Sequence, residues 1–321
     1  MPAVSVIIPN YNHSEFLKQR IESVLNQSFQ DFELIILDDC STDGSKFIIE
    51  QYRTHPLVSR IKYNTKNSGS PFIQWGHGFK LAKGEYIWIA ESDDHCSANF
   101  LKCLMQKASD SSAELLYSRS IGIDSRGQQI DNYNWWYKDF IPDNRWDSSY
   151  CNDASDEKTH ILTKKNTIIN ASAVIFKNIP EIHVIVDEVM SYKFCGDWLF
   201  WIQYLSKINR ICYTVDATNY FRTHDNTSRR REIKGRNNEL VKVMQFIYSS
   251  LDSSNKYQLF EYHLKTHIYI PPQNVVKKLR ELIILLYPYP TLTMYMFRFI
   301  WRRYILNMQT TKGLYFGSKR N

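Results

Sequence analysis

"VSVIIPNYNHSEFLKQRIESVLNQS", residues 4–28, sets the pattern from which the rest of the chain is read. Val4–Ile8 is an apolar, β-branched run of the kind that forms a strand buried on both faces. A polar loop follows, then a helix whose apolar positions Leu17, Ile21, Val24 and Leu25 share one face. Asn12 and Glu15, three residues apart, read as a capping box at the start of that helix. "FELIILDDCSTDGSKFIIEQY", residues 32–52, repeats the plan with a strand over Phe32–Leu37, a turn rich in Asp, Ser and Gly, and a second helix. "IKYNT", residues 61–65, reads as a third, shorter strand, and a helical segment ending near Gly84 leads into a strand over Tyr86–Ala90. Strands alternating with helices predict an α/β fold, a mostly parallel sheet flanked by helices on both faces.

In such sheets ligands bind beyond the carboxyl ends of the strands. Three polar clusters fall there: Pro9–Asn12, Asp38–Asp43 and Glu91–Asp94. The adjacent acids Asp93 and Asp94 repel each other unless something positive lies between them. A hard divalent cation, Mn²⁺ or Mg²⁺, would cancel that repulsion and draw in a diphosphate; a cap on the next helix is the competing reading. The pair Asp38-Asp39 has its own alternatives. An Asx-turn accounts for one acid well and for two poorly, and a carboxylate here could accept the N3–H of a uracil or thymine. The first turn contains no glycine, which excludes the GxGxxG unit of nicotinamide enzymes. The first strand also ends without an acid, which excludes an aspartyl nucleophile at that point.

Charge separates the body from the tail. Residues 271–321 hold nine of the 40 Lys+Arg against one acid, Glu281, leaving 31 bases and 32 acids for the remainder. A body that is neutral to acidic, with the tail's positives interleaved among large aliphatics, speaks against nucleic-acid binding. The six cysteines show no CxxC and no close Cys/His pairing, so free thiols in a reducing compartment are expected. With no basic residue before Lys18 there is no secretory pattern, and the expectation is a cytoplasmic chain.

Beyond residue 120 the rhythm changes. Trp135, Trp136, Tyr137, Trp146 and Tyr150 lie among many acids in what reads as a long loop, its tryptophans either stacking on sugar faces or packing locally. "CGDWLFW", residues 195–201, reads as a turn into a buried helix beginning near Asp197, with Trp198 and Trp201 in the core. "ATNYFRTHDNTS", residues 217–228, reads as a strand running into a polar loop. In the tail, Val275, Leu279, Leu282 and Leu286 fall on one helical face. The uncharged stretch between Glu281 and Arg298 is sixteen residues and holds two prolines, too little for a spanning helix. An in-plane anchor on anionic lipid, a helical subdomain and an oligomer contact all fit it. The boundary is placed at 230/231, with a catalytic domain over 1–230 and a helical appendage over 231–321.

"VSVIIPNYN", "LDDCSTDGS", "AKGEYIWIAESDD" and "CGDWLFW" stand in the order and spacing of family 2 glycosyltransferases, which the chain resembles over roughly residues 3–230. The resemblance implies the GT-A, Rossmann-like fold and an inverting, metal-dependent transfer from a nucleotide-sugar donor. It is closest to bacterial members that build surface polysaccharides on glycan or lipid-linked glycan acceptors. Carried over, it implies that Pro9, Tyr11 and Asn12 line the nucleotide pocket and that Asp39 reads the uracil ring. Asp94 would be the direct metal ligand and Asp93 would lie nearer the ribose or donor sugar. Asp197 would be the catalytic base and His224 would lie near the diphosphate, with help from Arg222. The chain departs from the family in three places: Gln74-Trp75 stand where many members carry an Ala-Arg pair, Glu91 opens the acidic motif, and Gly196 precedes the base where Glu is common. A non-catalytic, sugar-nucleotide-binding relative of the same fold is the alternative.

Overall fold

The computed structural model describes residues 1–131, 144–224, 233–251, 256–266, 275–299 and 301. Trp135, Trp136, Tyr137 and the tail bases from Arg302 onward lie outside the described residues. The chain divides into two compact units, Met1–Arg231 and Glu232–Asn321.

The first unit begins with the expected alternation: β1 (Val4–Asn10), α1 (Ser14–Leu25), β2 (Phe32–Asp38), α2 (Ser45–Glu50), β3 (Val58–Tyr63), α3 (Pro71–Leu81) and β4 (Tyr86–Ile89). It continues through β5 (His95–Cys96), α4 (Phe100–Ser111), β6 (Leu115–Ile123), β7 (Gln129–Asp131), β8 (Tyr150–Asp153), α5 (Ala154–Glu157), β9 (Val174–Lys177), α6 (Ile182–Val189), α7 (Gly196–Tyr204) and β10 (Arg210–Arg222). The strands form one sheet in the order β3-β2-β1-β4-β9-β6-β10-β5, with β7 on β6 and β8 on β10. The β3-β2-β1-β4 half is parallel throughout. Past β4 the sheet becomes mixed, because β9 runs antiparallel to both β4 and β6.

β1 and β2 are buried at every position, as their apolar runs require; each Val, Leu or Ile withdrawn from water contributes about 1.5–3 kcal/mol. Pro9 sits in this buried strand without breaking a ladder. Ala90 N–H bonds to Ile7 C=O and pairing with β4 ends at Ile7, so the side where Pro9 lacks its N–H has no partner strand to lose.

Two expectations change, and one open alternative is decided. Asn12 does not cap α1: His13 holds that position without a side-chain cap bond, and Asn12 turns left-handed at φ 54° to tie the first loop to the second. Cys151 and Cys212, expected free, form a disulfide. They face each other in the antiparallel β8–β10 ladder with Cα atoms 4.0 Å apart, a proximity hidden by 61 residues of separation. Trp146 is buried, its indole N–H 3.4 Å from the Tyr117 hydroxyl and its ring under Arg145, so it packs the loop instead of presenting a face for stacking. Trp198 and Trp201 are in the core.

The second unit contains α8 (Ile233–Ser250), α9 (Lys256–Thr266), α10 (Val275–Leu286) and a helical stretch over 290–299. Its core gathers Val241, Met244, Phe260, Leu282, Leu286, Leu292 and Met296. Leu282 and Leu286, from the tail's apolar face, are therefore spent on packing within the unit. Among the described residues no helix is long and apolar enough to cross a membrane.

Candidate active site

The carboxyl ends of β1, β2 and β4 carry the three polar clusters, and hydrogen bonds lace them together. Asn10 donates to Asp38 Oδ1 at 2.8 Å, and Asp38 Oδ2 accepts from Ser41 N–H at 2.9 Å, so Asp38 ties down the turn that follows β2. Asn12 N–H donates to the Ser41 hydroxyl at 2.9 Å while its Oδ1 accepts from Thr42 N–H at 2.7 Å. Tyr11 projects from this rim and is exposed.

Asp39 does what the turn does not need. Its buried carboxylate accepts from Asn64 Nδ2 at 2.7 Å, Gln74 Nε2 at 2.8 Å, and both the N–H and the hydroxyl of Ser68, at 2.9 and 2.7 Å. With about four lone-pair sites on a carboxylate, Asp39 is fully engaged in holding the 64–74 segment. Gln74, where the family often has a cation, is thus a partner of this acid. Its neighbour Trp75 donates to Glu91 Oε1 at 3.1 Å.

The two acids after β4 have different surroundings. Asp94 is buried: Oδ1 accepts from Arg222 N–H at 2.9 Å, Oδ2 from Asn170 Nδ2 at 2.6 Å, and the Arg20 guanidinium lies 4.0 Å away. Neither acid caps a helix, since α4 starts at Phe100 with Asn99 at its N-cap. Asp94, expected as the direct metal ligand, thus carries a hydrogen bond on each oxygen in the interior. Asp93 has the ligand-like setting. Its Oδ2 is 3.1 Å from His224 Nε2, and one ring nitrogen each from His13 and His224 lies with a carboxylate oxygen of Asp93 within 4.8 Å of one another. Ser92 Oγ is 2.8 Å from His13 Nδ1, and the His13 and His224 rings meet edge to face at 5.3 Å.

Electrostatics separate the acids further. Burial tends to raise Asp93, but the hydrogen bond from His224 and the His13 imidazole outweigh it and hold the carboxyl below its ordinary value. Burial, then Asp93, push Asp94 up against the pull of Arg20. Burial, again followed by Asp93, pushes Glu91 up to about 8. Burial also lowers His13, against the pull of Asp93, keeping the ring neutral.

Arg222, expected near the diphosphate, is committed elsewhere. It donates to Asp93 C=O at 2.8 Å, Asp124 C=O at 3.0 Å and Gln19 Oε1 at 2.7 Å, and lies over the Phe16 ring. Asp197 sits in the first turn of α7, and Asn166 Nδ2 donates to its Oδ2 at 3.0 Å. Gly196 beside it is required by packing: a Cβ there would lie 2.6 Å from the Phe72 ring. That accounts for the missing glutamate. His13, Ser92, Asn166 and Asn170 escaped the sequence reading. His13 directly follows the Pro9–Asn12 cluster and could have been found there; the two asparagines carry no local signal.

The Glycosyl transferase family 2 model matches residues 5–175, just over half the chain. The chain belongs to glycosyltransferase family 2. Chondroitin synthase of Escherichia coli is 37% identical over 138 residues, 42% of this chain and 20% of that protein. Poly(ribitol-phosphate) beta-N-acetylglucosaminyltransferase TarP of Staphylococcus aureus is 34% identical over 134 residues, 40% of each chain. These matched stretches span well under half of the relatives' own length. Among solved structures, S. aureus TarS 1–349 in complex with UDP-GlcNAc aligns over 82% of this chain and 73% of its own with TM-score 0.63 and 20% identity. The mannosyltransferase PcManGT of Pyrobaculum calidifontis, in complex with GDP-Man and Mn²⁺, covers 92% of this chain and 84% of its own with TM-score 0.54 and 14% identity. At those identities the likeness establishes the fold, the mixed α/β architecture of GT-A enzymes.

Proposed function

We propose that the chain transfers a sugar from a nucleotide-sugar, a UDP-sugar by the family's pattern, to a hydroxyl of a glycan or lipid-linked glycan in surface-polysaccharide synthesis, with inversion. The observation that carries this is the cluster of Asp93, His13 and His224 at the carboxyl end of the parallel half-sheet of a family 2 fold. A divalent cation suits that donor set, with Asp93 and His224 holding it. When bound, it would offset charge on the leaving nucleoside diphosphate. Pro9, Tyr11 and Asn12 border the nucleotide, Tyr11 through its exposed ring. Asp39 shapes the base pocket through its hold on the 64–74 segment, and it reaches a uracil N3–H once the Ser68 hydroxyl gives up its place. Asp197, oriented by Asn166, takes the proton from the acceptor hydroxyl as that oxygen attacks the anomeric carbon on the face opposite the diphosphate. Help of this kind is typically worth ~10²–10⁴-fold.

The same reading places the enzyme on the cytoplasmic membrane face, where a lipid-linked acceptor is presented. Its support is the second unit's exposed Ile284, Tyr287, Met294, Phe297 and Trp301, together with the excess of bases over residues 271–321.

The test is donor turnover. With Mn²⁺ and a panel of nucleotide sugars plus crude lipid acceptor, wild type should release nucleoside diphosphate, and Asp197→Asn should slow release ~10²–10⁴-fold while still binding UDP. Absence of turnover with every donor, together with retained UDP binding, would leave a binding relative of the fold instead.

A further inference from the structure

We propose that His13 is a third protein ligand of the cation, so that two imidazoles and one carboxylate make this site prefer a first-row transition ion to Mg²⁺. The inference deepens the glycosyltransferase reading and relies on it only for the reason a cation is present. The geometry is specific. The three ligand atoms lie within 4.8 Å of one another, against the roughly 3–3.5 Å that separates neighbouring ligands on one ion. Side-chain rotation on binding would bring them to that spacing.

The supporting contacts are those of a built site. The Ser92 hydroxyl lies 2.8 Å from His13 Nδ1 and holds the ring in place; in the tautomer in which Nδ1 donates to it, Nε2 is the basic nitrogen. The His224 side chain is 7% exposed, held between the His13 ring at 5.3 Å and the Phe16 ring at 5.0 Å. His13 arrives from the start of α1, Asp93 from the loop after β4 and His224 from the residues after β10, so three separate segments of the first unit converge on one point.

The chemistry of the donors sets the preference. Mg²⁺ demands oxygen ligands and keeps its waters, so each imidazole in the set counts against it. Affinity of nitrogen-containing sites instead rises from Mn²⁺ through Co²⁺. A site with Asp93 and His224 alone would discriminate weakly; His13 sharpens it.

Direct metal binding tests this without reference to activity. Chelator-stripped protein is titrated with Co²⁺ and with Mg²⁺, followed by calorimetry and by the visible absorption of Co²⁺. Wild type should bind Co²⁺ more tightly than Mg²⁺. His13→Ala should lose at least about tenfold in Co²⁺ affinity and change its absorption bands, and Ser92→Ala should lose about tenfold. Thermal melting of each variant separates ligand loss from misfolding, and His13→Asn supplies a milder replacement should alanine fail to fold. Identical Co²⁺ affinity and spectrum in wild type and both His13 variants would overturn the proposal, as would equal competition by Mg²⁺. If His13-dependent Co²⁺ binding holds but no donor is ever turned over, the site stands and the transferase reading falls. If turnover proceeds with a Co²⁺ spectrum indifferent to His13, the reverse is true.

Discussion

Asp93 and Asp94 are adjacent in sequence and opposite in circumstance. Asp94 holds the interior together against Arg20, whose side chain is wholly buried, whereas Asp93 keeps a carboxylate beside two imidazoles. Removing Asp94 strands a buried cation, so Asp94→Ala should cost ~3–5 kcal/mol in chemical denaturation. Asp93→Ala should cost less stability than Asp94→Ala yet abolish metal binding; the opposite ranking would reverse the two roles. Glu91 offers a test by pH. Its folded pKa of about 8 lies above the ordinary carboxylate value, so the folded state holds a proton that the unfolded chain has released. The stability this contributes is fully present below the ordinary value and is lost as pH rises toward 8. In metal-free buffer, wild type should lose stability between pH 5 and 8, and Glu91→Gln should flatten that slope. At this scale the sequence placed the acids at a strand end but did not show which faces inward, because burial depends on β10 and the 166–170 segment, more than 70 residues away.

Elements explain the departures from the family's motifs. α7 approaches α3 so closely at Gly196 that a side chain would enter the Phe72 ring. Gly196→Glu, which restores the family's usual residue, should therefore destabilise by ~1–3 kcal/mol, read as a lowered melting temperature, and should not raise turnover; a neutral melt would mean that the two helices can move apart. The segment between α5 and β9 does comparable work. Asn166 holds Asp197 and Asn170 holds Asp94, so one short stretch anchors both acids. The strand–helix alternation of residues 4–90 was legible because periodicity is local. The reversal at β9 and the Cys151–Cys212 bond were not, since a short apolar run gives no sign of strand direction and cysteine spacing gives none of ladder register.

For the molecule as a whole, the second unit makes the boldest claim. Its inward face is consumed by the unit's own core, while Ile284, Tyr287, Met294, Phe297 and Trp301 remain exposed. The protein should pellet with vesicles containing anionic lipid at low salt and be released as salt rises. Replacing Phe297 and Trp301 by Ser should weaken that binding; equal recovery with purely zwitterionic vesicles, or a salt-independent dimer in their place, would count against it. The sequence by itself determined the α/β alternation, the three polar clusters at the strand ends and the basic excess of the tail, because each is written in residues close together along the chain. Only the tertiary structure decided that Asp93 and not Asp94 meets the histidines, that Asp39 is saturated by the 64–74 segment, and that Gly196 is a packing necessity. Those outcomes depend on which distant groups fill each lone pair and each ångström of space, and folding alone brings those groups together.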